Sequence, residues 1–175
     1  FTDTHCHLNF PEYADDLEEV AARAAEAGVG VINVGTDLAM SARAVSLAHE
    51  FPDMWAAGGI HPHHALDAPA AIAQLRKLAA DPKVVAIGEI GLDYYRLAAE
   101  GAEGVKHAQR AAFMDQLELA RECKLPVIIH SREAGTEILD VLRAHGAGLS
   151  GVAHSFSGSI EDARAFLELG LHIGF

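Results

Sequence analysis

Five strand-like segments of this sequence end in histidine or glutamate, and these residues are the first candidates for chemistry. The opening segment carries His5 and His7, which an extended backbone places on one face while Cys6 faces the other. The residues that follow later apolar runs in the same way are His61, His63, Glu89, His130 and His154. A single histidine of this kind is commonly structural, whereas its repetition at separate strand ends predicts a shared metal site.

Imidazoles and a carboxylate suit borderline first-row metal ions, and one carboxylate can bridge two of them. Two ions roughly 3.5–4 Å apart can hold a nucleophile and stabilise the leaving oxygen when a phosphodiester is cleaved. We therefore predict that Glu89 bridges two ions. His5 and His7 would hold one ion, and His130 and His154 would hold the other. The structural alternative for Glu89 is a buried carboxylate paired with a lysine or an arginine.

The elements that must position these residues alternate between strand and helix along the sequence. Apolar runs predict strands at residues 2–8, 30–35, 54–60, 83–89, 126–130, 152–155 and 170–175. Periodic apolar positions predict helices at residues 17–27, 41–50, 69–80, 107–123, 133–145 and 159–169. Ser159 and Asp162 are spaced as a capping box for the last helix, and residues 97–106 are predicted to form a loop.

This order predicts a single domain over residues 1–175 with a (β/α)8 TIM-barrel type of fold. The barrel would be incomplete, because only about seven strands are present and the eighth is missing. The strands are continuously apolar, as in a parallel sheet covered by helices. The alternative is an open doubly wound sheet, which the lack of a glycine-rich nucleotide fingerprint after the first strand disfavours.

The composition limits the classes of function. A formal net charge of −12 argues against a broad electropositive surface for nucleic acid, although two divalent ions would concentrate positive charge locally. No apolar run approaches the roughly 18 residues of a membrane span, and no basic-then-apolar leader is present. We therefore expect a soluble cytoplasmic protein. The two cysteines, Cys6 and Cys123, are expected to be buried and inert.

Five motifs of the chain resemble those of one protein family. They are Asp-Thr-His-Cys-His-Leu (3–8), Gly-Ile-His-Pro-His (59–63), Gly-Glu-Ile-Gly-Leu-Asp-Tyr (88–94), Pro-Val-Ile-Ile-His-Ser-Arg (126–132) and His-Ser-Phe-Ser-Gly (154–158). In this order they closely resemble the TatD family of metal-dependent hydrolases, which are TIM-barrel relatives of the amidohydrolases. The resemblance implies a two-metal phosphodiesterase that acts on DNA, typically as a 3′-to-5′ exonuclease and sometimes at abasic sites.

The resemblance also implies roles for individual residues. Those that it assigns as metal ligands, in agreement with the strand-end argument, are His5, His7, Glu89, His130 and His154. It suggests that His61, His63 and Arg132 contact substrate phosphates, for which a bidentate guanidinium is suited. The alternative for Arg132 is a salt bridge at the rim. Asp93, Tyr94 and Tyr95 would form a wall of the cleft, where each tyrosine ring would stack on an unpaired base or pack against the next helix.

The sequence departs from the family pattern at its end. In the family an eighth strand supplies an aspartate that ligates the first ion, and nothing like it follows Phe175. The resemblance therefore implies a truncated member, much less active than its full-length parent. Its first and seventh strands would be unpaired edges, which favour self-association or completion by a partner chain.

Two other functions stay open. The same histidines would serve an amidohydrolase-type enzyme that cleaves a small ester, lactone or amide, although a glutamate rather than a carbamylated lysine at residue 89 favours the nuclease branch. The missing aspartate also admits a catalytically impaired fragment that still binds metal. Imidazoles favour zinc, manganese or iron, whereas nucleases of this type are commonly assayed with magnesium. The predicted cofactor is therefore two divalent ions, with Mg, Mn and Zn as the candidates.

Overall fold

In the computed structural model, which describes residues 1–95 and 97–175, the strands form one seven-stranded parallel sheet. The strands are β1 (Thr2–Cys6), β2 (Gly30–Val34), β3 (Met54–Gly58), β4 (Val84–Asp93), β5 (Val127–Arg132), β6 (Gly151–Ala153) and β7 (Leu171–Ile173). Their order in the sheet follows their order in the chain. A doubly wound sheet reverses its strand order at a switch point, so this topology confirms the incomplete barrel and excludes that alternative.

Six α-helices connect the strands in the described part of the chain. They are α1 (Leu17–Glu26), α2 (Leu38–Glu50), α3 (Ala68–Leu78), α4 (Ala102–Cys123), α5 (Gly135–His145) and α6 (Ile160–Glu168). The capping box that the sequence predicts at Ser159 and Asp162 is present at the start of α6. None of the helices in the described ranges has the length and apolar character needed to cross a bilayer.

Three element boundaries differ by more than two residues from those predicted from the sequence. Helix α2 begins at Leu38 rather than at 41, because the Asp37 side chain accepts a hydrogen bond from the Met40 amide. Strand β4 continues to Asp93 rather than ending at 89, because its last residues pair with β5. The predicted loop at 97–106 is wrong from residue 102 onward, where α4 has already begun after Gly101.

The sheet is curled, so that the carboxyl ends of distant strands meet. His5 lies near the carboxyl end of β1 and His154 lies just beyond β6. Their rings nevertheless stack, with centroids 3.8 Å apart. A small apolar cluster of Val34, Ala57, Ala86 and Ile128 fills part of the concave inner face. The larger apolar clusters involve the helices, which cover the outer face as in a TIM barrel.

Two glycines allow the strand ends near Glu89 and His130 to approach closely. A Cβ atom at Gly59 would lie 2.6 Å from the carbonyl carbon of Gly88, which is too close for any other residue. Gly91 has a φ of +144°, and a Cβ there would collide with the carbonyl oxygen of His130. Glycine is therefore required where β3, β4 and β5 bring their polar residues together.

Candidate metal centre

Glu89 lies at the centre of the cluster of histidines and is almost fully buried, with 3 % of its surface exposed. Its Oε1 atom lies 2.7 Å from Nδ1 of His130 and 2.5 Å from Nε2 of His154. Its Oε2 atom lies 3.5 Å from Nε2 of His5 and 3.6 Å from Nε2 of His7. Each carboxylate oxygen thus faces one of the two histidine pairs that the sequence predicts.

The partners of Glu89 argue against a purely structural carboxylate. Every ion-pairing partner of Glu89 in the described part of the chain is a histidine, and none is a lysine or an arginine. Burial opposes ionisation of this carboxyl, but hydrogen bonds from His130 and His154 outweigh it and hold the pKa of Glu89 far below its usual range. Glu89 is therefore an anion surrounded by imidazoles.

The spacing of the imidazole nitrogens fits shared metal ions. The Nε2 atoms of His5 and His7 are 3.1 Å apart, and Nδ1 of His130 lies 3.3 Å from Nε2 of His154. Two nitrogens bound to one tetrahedral zinc ion at about 2.0–2.1 Å are separated by roughly 3.3–3.4 Å. Both pairs come close to this separation, so the donors present fit a divalent ion at each pair.

Protonation of the first pair also fits a metal site. The Nδ1 atom of His7 lies 2.9 Å from the carbonyl oxygen of Val34, so this N–H donates and the lone pair lies on Nε2, which faces Nε2 of His5. Burial and the stacked ring of His154 lower the pKa of His5 to about 3. The neutral imidazole is the form that ligates metal, so the lowered pKa of His5 favours binding of a cation.

Asp93 orients His130 from its far side, a role that the sequence did not predict. Its Oδ2 atom lies 3.1 Å from Nε2 of His130 and 3.1 Å from Nε2 of His63, while Oδ1 accepts the Tyr95 amide at 2.9 Å. His130 thus lies between two carboxylates, with Nε2 toward Asp93 and Nδ1 toward Glu89. Burial alone would lower the pKa of His130, but the carboxylates of Glu89 and Asp93 outweigh it and raise that pKa. A carboxylate behind a histidine ligand is a common feature of metal sites.

His61 is placed as a hydrogen-bond donor rather than as a ligand. Its Nδ1 atom accepts the His63 amide at 3.1 Å, so the proton of the neutral ring resides on Nε2. That Nε2 atom lies 3.7 Å from Oε1 of Glu89, and burial lowers the pKa of His61 to about 4. His61, His63 and Asp93 are close enough to suggest another cation site, but a protonated Nε2 on His61 cannot ligate one.

Two buried glutamines of α4, which the sequence analysis did not single out, hold the backbone of the strand ends. Gln116 accepts the Ile60 amide at 2.7 Å and donates to the Ile60 carbonyl at 3.1 Å. Gln109 accepts the Asp93 amide at 2.9 Å and donates to the Asp93 carbonyl at 2.9 Å. The sequence did contain a signal for this role, because Gln109 and Gln116 lie seven positions apart on the apolar face of the helix.

The predicted substrate residues lie at the rim of this cluster. The guanidinium of Arg132 stacks 3.7 Å above the centroid of the Tyr95 ring and is exposed to solvent. No carboxylate in the described ranges pairs with Arg132, so the rim salt bridge proposed as its alternative is absent there. Tyr94 is half-buried against the main apolar cluster and lies beneath Lys106, so packing accounts for its position.

Comparison with known proteins places this arrangement in a family. Residues 2–175 match the family model described as TatD related DNase. The chain is 39% identical to an uncharacterised metal-dependent hydrolase, YabD, of Bacillus subtilis, covering 99% of this chain and 67% of that protein. It is 41% identical to the 3′-5′ ssDNA/RNA exonuclease TatD of Edwardsiella piscicida, covering 98% of this chain and 66% of that protein.

A solved structure extends the comparison to the backbone. The crystal structure of YjjV, a TatD homologue from Escherichia coli K12, superposes with a TM-score of 0.88 at 37% identity. The match covers 99% of this chain and 66% of that one. The chain therefore spans about two thirds of the length of the relatives that it matches.

Proposed function

The chain belongs to the TatD family of metal-dependent DNases, and from this we propose that the protein hydrolyses phosphodiester bonds in single-stranded DNA from the 3′ end. The observation that carries the proposal is the position of Glu89, whose two carboxylate oxygens each face one pair of histidines. A carboxylate between two divalent ions is suited to phosphodiester cleavage.

In this proposal the site binds two ions of Mg, Mn or Zn. His5 and His7 would hold one ion, His130 and His154 would hold the other, and the Glu89 carboxylate would contribute to both. When bound, the ions supply Lewis acidity that polarises the phosphate and activates water. They also supply the local positive charge that a chain of net charge −12 otherwise lacks.

Residues around the ions would bind and orient phosphate groups of the DNA strand. His61 presents a neutral Nε2–H and therefore donates a hydrogen bond without adding a titratable charge. Arg132 offers two parallel N–H groups at the rim, and His63 is exposed beside Asp93. Tyr94 remains a proposed contact for an unpaired base, which would require its ring to leave the apolar cluster.

The first experiment is cleavage of 5′-end-labelled single-stranded DNA with added Mg²⁺ or Mn²⁺. We expect a ladder that shortens from the 3′ end and that EDTA abolishes. Glu89→Gln should lower the rate by more than about 100-fold, because the neutral amide cannot bridge two cations. Glu122→Gln, which alters an exposed carboxylate on α4, is the matched control and should cleave normally.

Two outcomes would contradict the proposal. Near-normal DNA cleavage by Glu89→Gln would show that this carboxylate does not bridge the ions. Intact DNA together with metal-dependent hydrolysis of aryl esters, lactones or amides would instead favour the small-molecule hydrolase that the sequence left open.

Two further features of the protein are proposed on separate grounds. We propose a cytoplasmic location because both cysteines are free thiols, which is usual in reducing compartments. We also propose that this 175-residue chain self-associates through β1 and β7, which lie at the two ends of the sheet order.

A further inference from the structure

A second polar concavity opens directly beside the candidate metal centre, between the ends of β5 and β6. Its volume is about 310 Å³, and His130 and His154 form the wall that it shares with the metal centre. We call this concavity the β5–β6 pocket. Its remaining lining residues are Ser131, Arg132, Ser155 and Ser157. The pocket thus contains one guanidinium and three hydroxyls, with no carboxylate among its lining residues.

The guanidinium of Arg132 is held in place while its hydrogen-bond donors stay available. Its carbon lies 3.7 Å from the centroid of the Tyr95 ring, so stacking engages the flat face of the group. The N–H donors project from the edge of that plane. Because Arg132 has no carboxylate partner in the described ranges, these donors can face an anion in the pocket.

The three serine hydroxyls are also available. None of them makes a hydrogen bond within the part of the chain that the structure describes. Ser155 has a φ of +44°, which marks the sharp turn after His154. A guanidinium together with several hydroxyl donors, arranged around one concavity, is the donor set that phosphate oxygens prefer.

The neighbouring concavity limits where an anion can go. It shares Ser131, His154 and Ser157 with the β5–β6 pocket but also contains Glu133 and Asp162. The Asp162 carboxylate is engaged by the amide and hydroxyl of Ser159. Negative charge on that side would repel a phosphate, so the side of Arg132 is the favourable one.

We propose that the β5–β6 pocket binds the DNA phosphate immediately 5′ of the phosphate being cleaved. This inference rests on the proposed function, because a scissile phosphate beside His130 and His154 leaves the next phosphate of the strand next to the pocket. The terminal nucleotide of a 3′ end has no further phosphate, so the neighbouring one must lie on the 5′ side. The protein therefore recognises at least two consecutive phosphates rather than a single diester.

The test measures the affinity of three thymidine dinucleotides by NMR titration, with Ca²⁺ as the divalent ion. The first carries only the internal phosphate, the second adds a 5′ phosphate, and the third adds a 3′ phosphate of equal charge. We expect the 5′-phosphorylated dinucleotide to bind roughly 10-fold tighter than the other two, as hydrogen bonds to a charged group allow. The double variant Ser155→Ala/Ser157→Ala and the single variant Arg132→Gln should each reduce this preference for the 5′-phosphorylated dinucleotide.

Matched controls separate the pocket from general charge effects. Ser46→Ala removes an exposed helical serine, and Arg143→Gln removes an exposed arginine that pairs with Asp140, and both should keep the preference. Equal affinity for the three dinucleotides, or no binding of any, would overturn the proposal. So would a preference that survives the changes in the pocket. Because affinity is measured rather than turnover, failure of DNA cleavage in the earlier experiment remains a separate result.

Discussion

At the scale of single residues, the site depends on side chains that fix the orientation of the histidines. His7 is oriented by the Val34 carbonyl, His61 by the His63 amide, and His130 by Asp93. Each of these bonds fixes the orientation of its ring and therefore which ring nitrogen faces Glu89. The orienting partners are thus as important for the proposed chemistry as the ligands themselves.

Asp93→Asn tests this dependence directly. One oxygen of the Asp93 carboxylate accepts a hydrogen bond from the Tyr95 amide, and the other accepts from two imidazoles. The asparagine side chain has only one acceptor oxygen, so its NH₂ group would face a donor in either orientation. We expect metal affinity to fall by about 10- to 100-fold with the fold retained. Titration with Mn²⁺ or Zn²⁺ measures the affinity, and circular dichroism measures the fold.

The control for this change is Asp140→Asn, which alters an exposed carboxylate on α5. It should bind metal as the unaltered protein does. If Asp93→Asn also binds metal with unchanged affinity, then Asp93 does not position His130.

Cys6 provides a prediction on pH dependence. Burial raises the pKa of its thiol to about 12 from an ordinary value of 9.0, and Sγ donates toward the Ile32 carbonyl. Between these two values the folded chain holds a proton that the unfolded chain has lost. The protonated Cys6 thiol therefore makes its full contribution to the free energy of unfolding below pH 9, and that contribution declines as the pH rises toward 12.

The measurement is alkylation by iodoacetamide at pH 8, followed by mass spectrometry with and without urea. The thiolate is the reactive form, so Cys6 should react far more slowly in the folded chain than in urea. Equal rates in the two conditions would show that Cys6 is accessible and ionisable.

At the scale of elements, α4 determines the positions of two strand ends. Gln116 and Gln109 bond to both backbone groups of Ile60 and Asp93, just as a neighbouring strand would. Ile60 precedes His61, and Asp93 orients His130, so one helix aligns both sides of the site.

Gln116→Leu removes one of these links without changing the apolar character of the helix face. It leaves the amide and carbonyl of Ile60 buried without partners, at a cost of roughly 1–3 kcal/mol for each group. We expect the free energy of unfolding to fall by about 2–4 kcal/mol, as measured by urea denaturation. Glu118→Gln, on the exposed side of the same helix, should change it by less than about 0.5 kcal/mol. A similar small loss for Gln116→Leu would indicate that the link contributes little.

The elements also show how far the sequence could predict the molecule. The apolar runs before His130 and His154 predict both strands and the residues that follow them, because parallel strands bring their carboxyl ends to one edge. The length of β4 was not predictable, since residues beyond 89 become strand only through pairing with β5. The orienting role of Asp93 and the contribution of Gln116 were missed because their partners come from distant parts of the chain.

At the scale of the whole molecule, the sheet curls around a concave face that it does not close. A concavity of about 460 Å³ is lined by apolar residues of the inner face, such as Ile32, Ile128 and Val152. β1 and β7 each pair with one neighbour, so both present an unpaired edge in the described ranges. Exposed strand edges beside apolar surface favour association between chains.

We therefore expect the 175-residue chain to form dimers or larger species as its concentration rises. Light scattering after size-exclusion chromatography measures the mass. Ile173→Lys places a charge on the β7 edge, where it opposes the addition of another strand, and should shift the chain toward monomer.

The strand edge can be distinguished from general surface hydrophobicity by a matched change. Ile160 is 68% exposed and lies at the start of α6, outside β7, so Ile160→Lys adds the same charge without altering the edge strand. If association depends on the edge, only Ile173→Lys weakens it, because a lysine on α6 leaves the backbone donors and acceptors of β7 free to pair. Equal effects of the two changes would attribute association to exposed apolar side chains, and a chain that stays monomeric at every concentration would exclude edge pairing altogether.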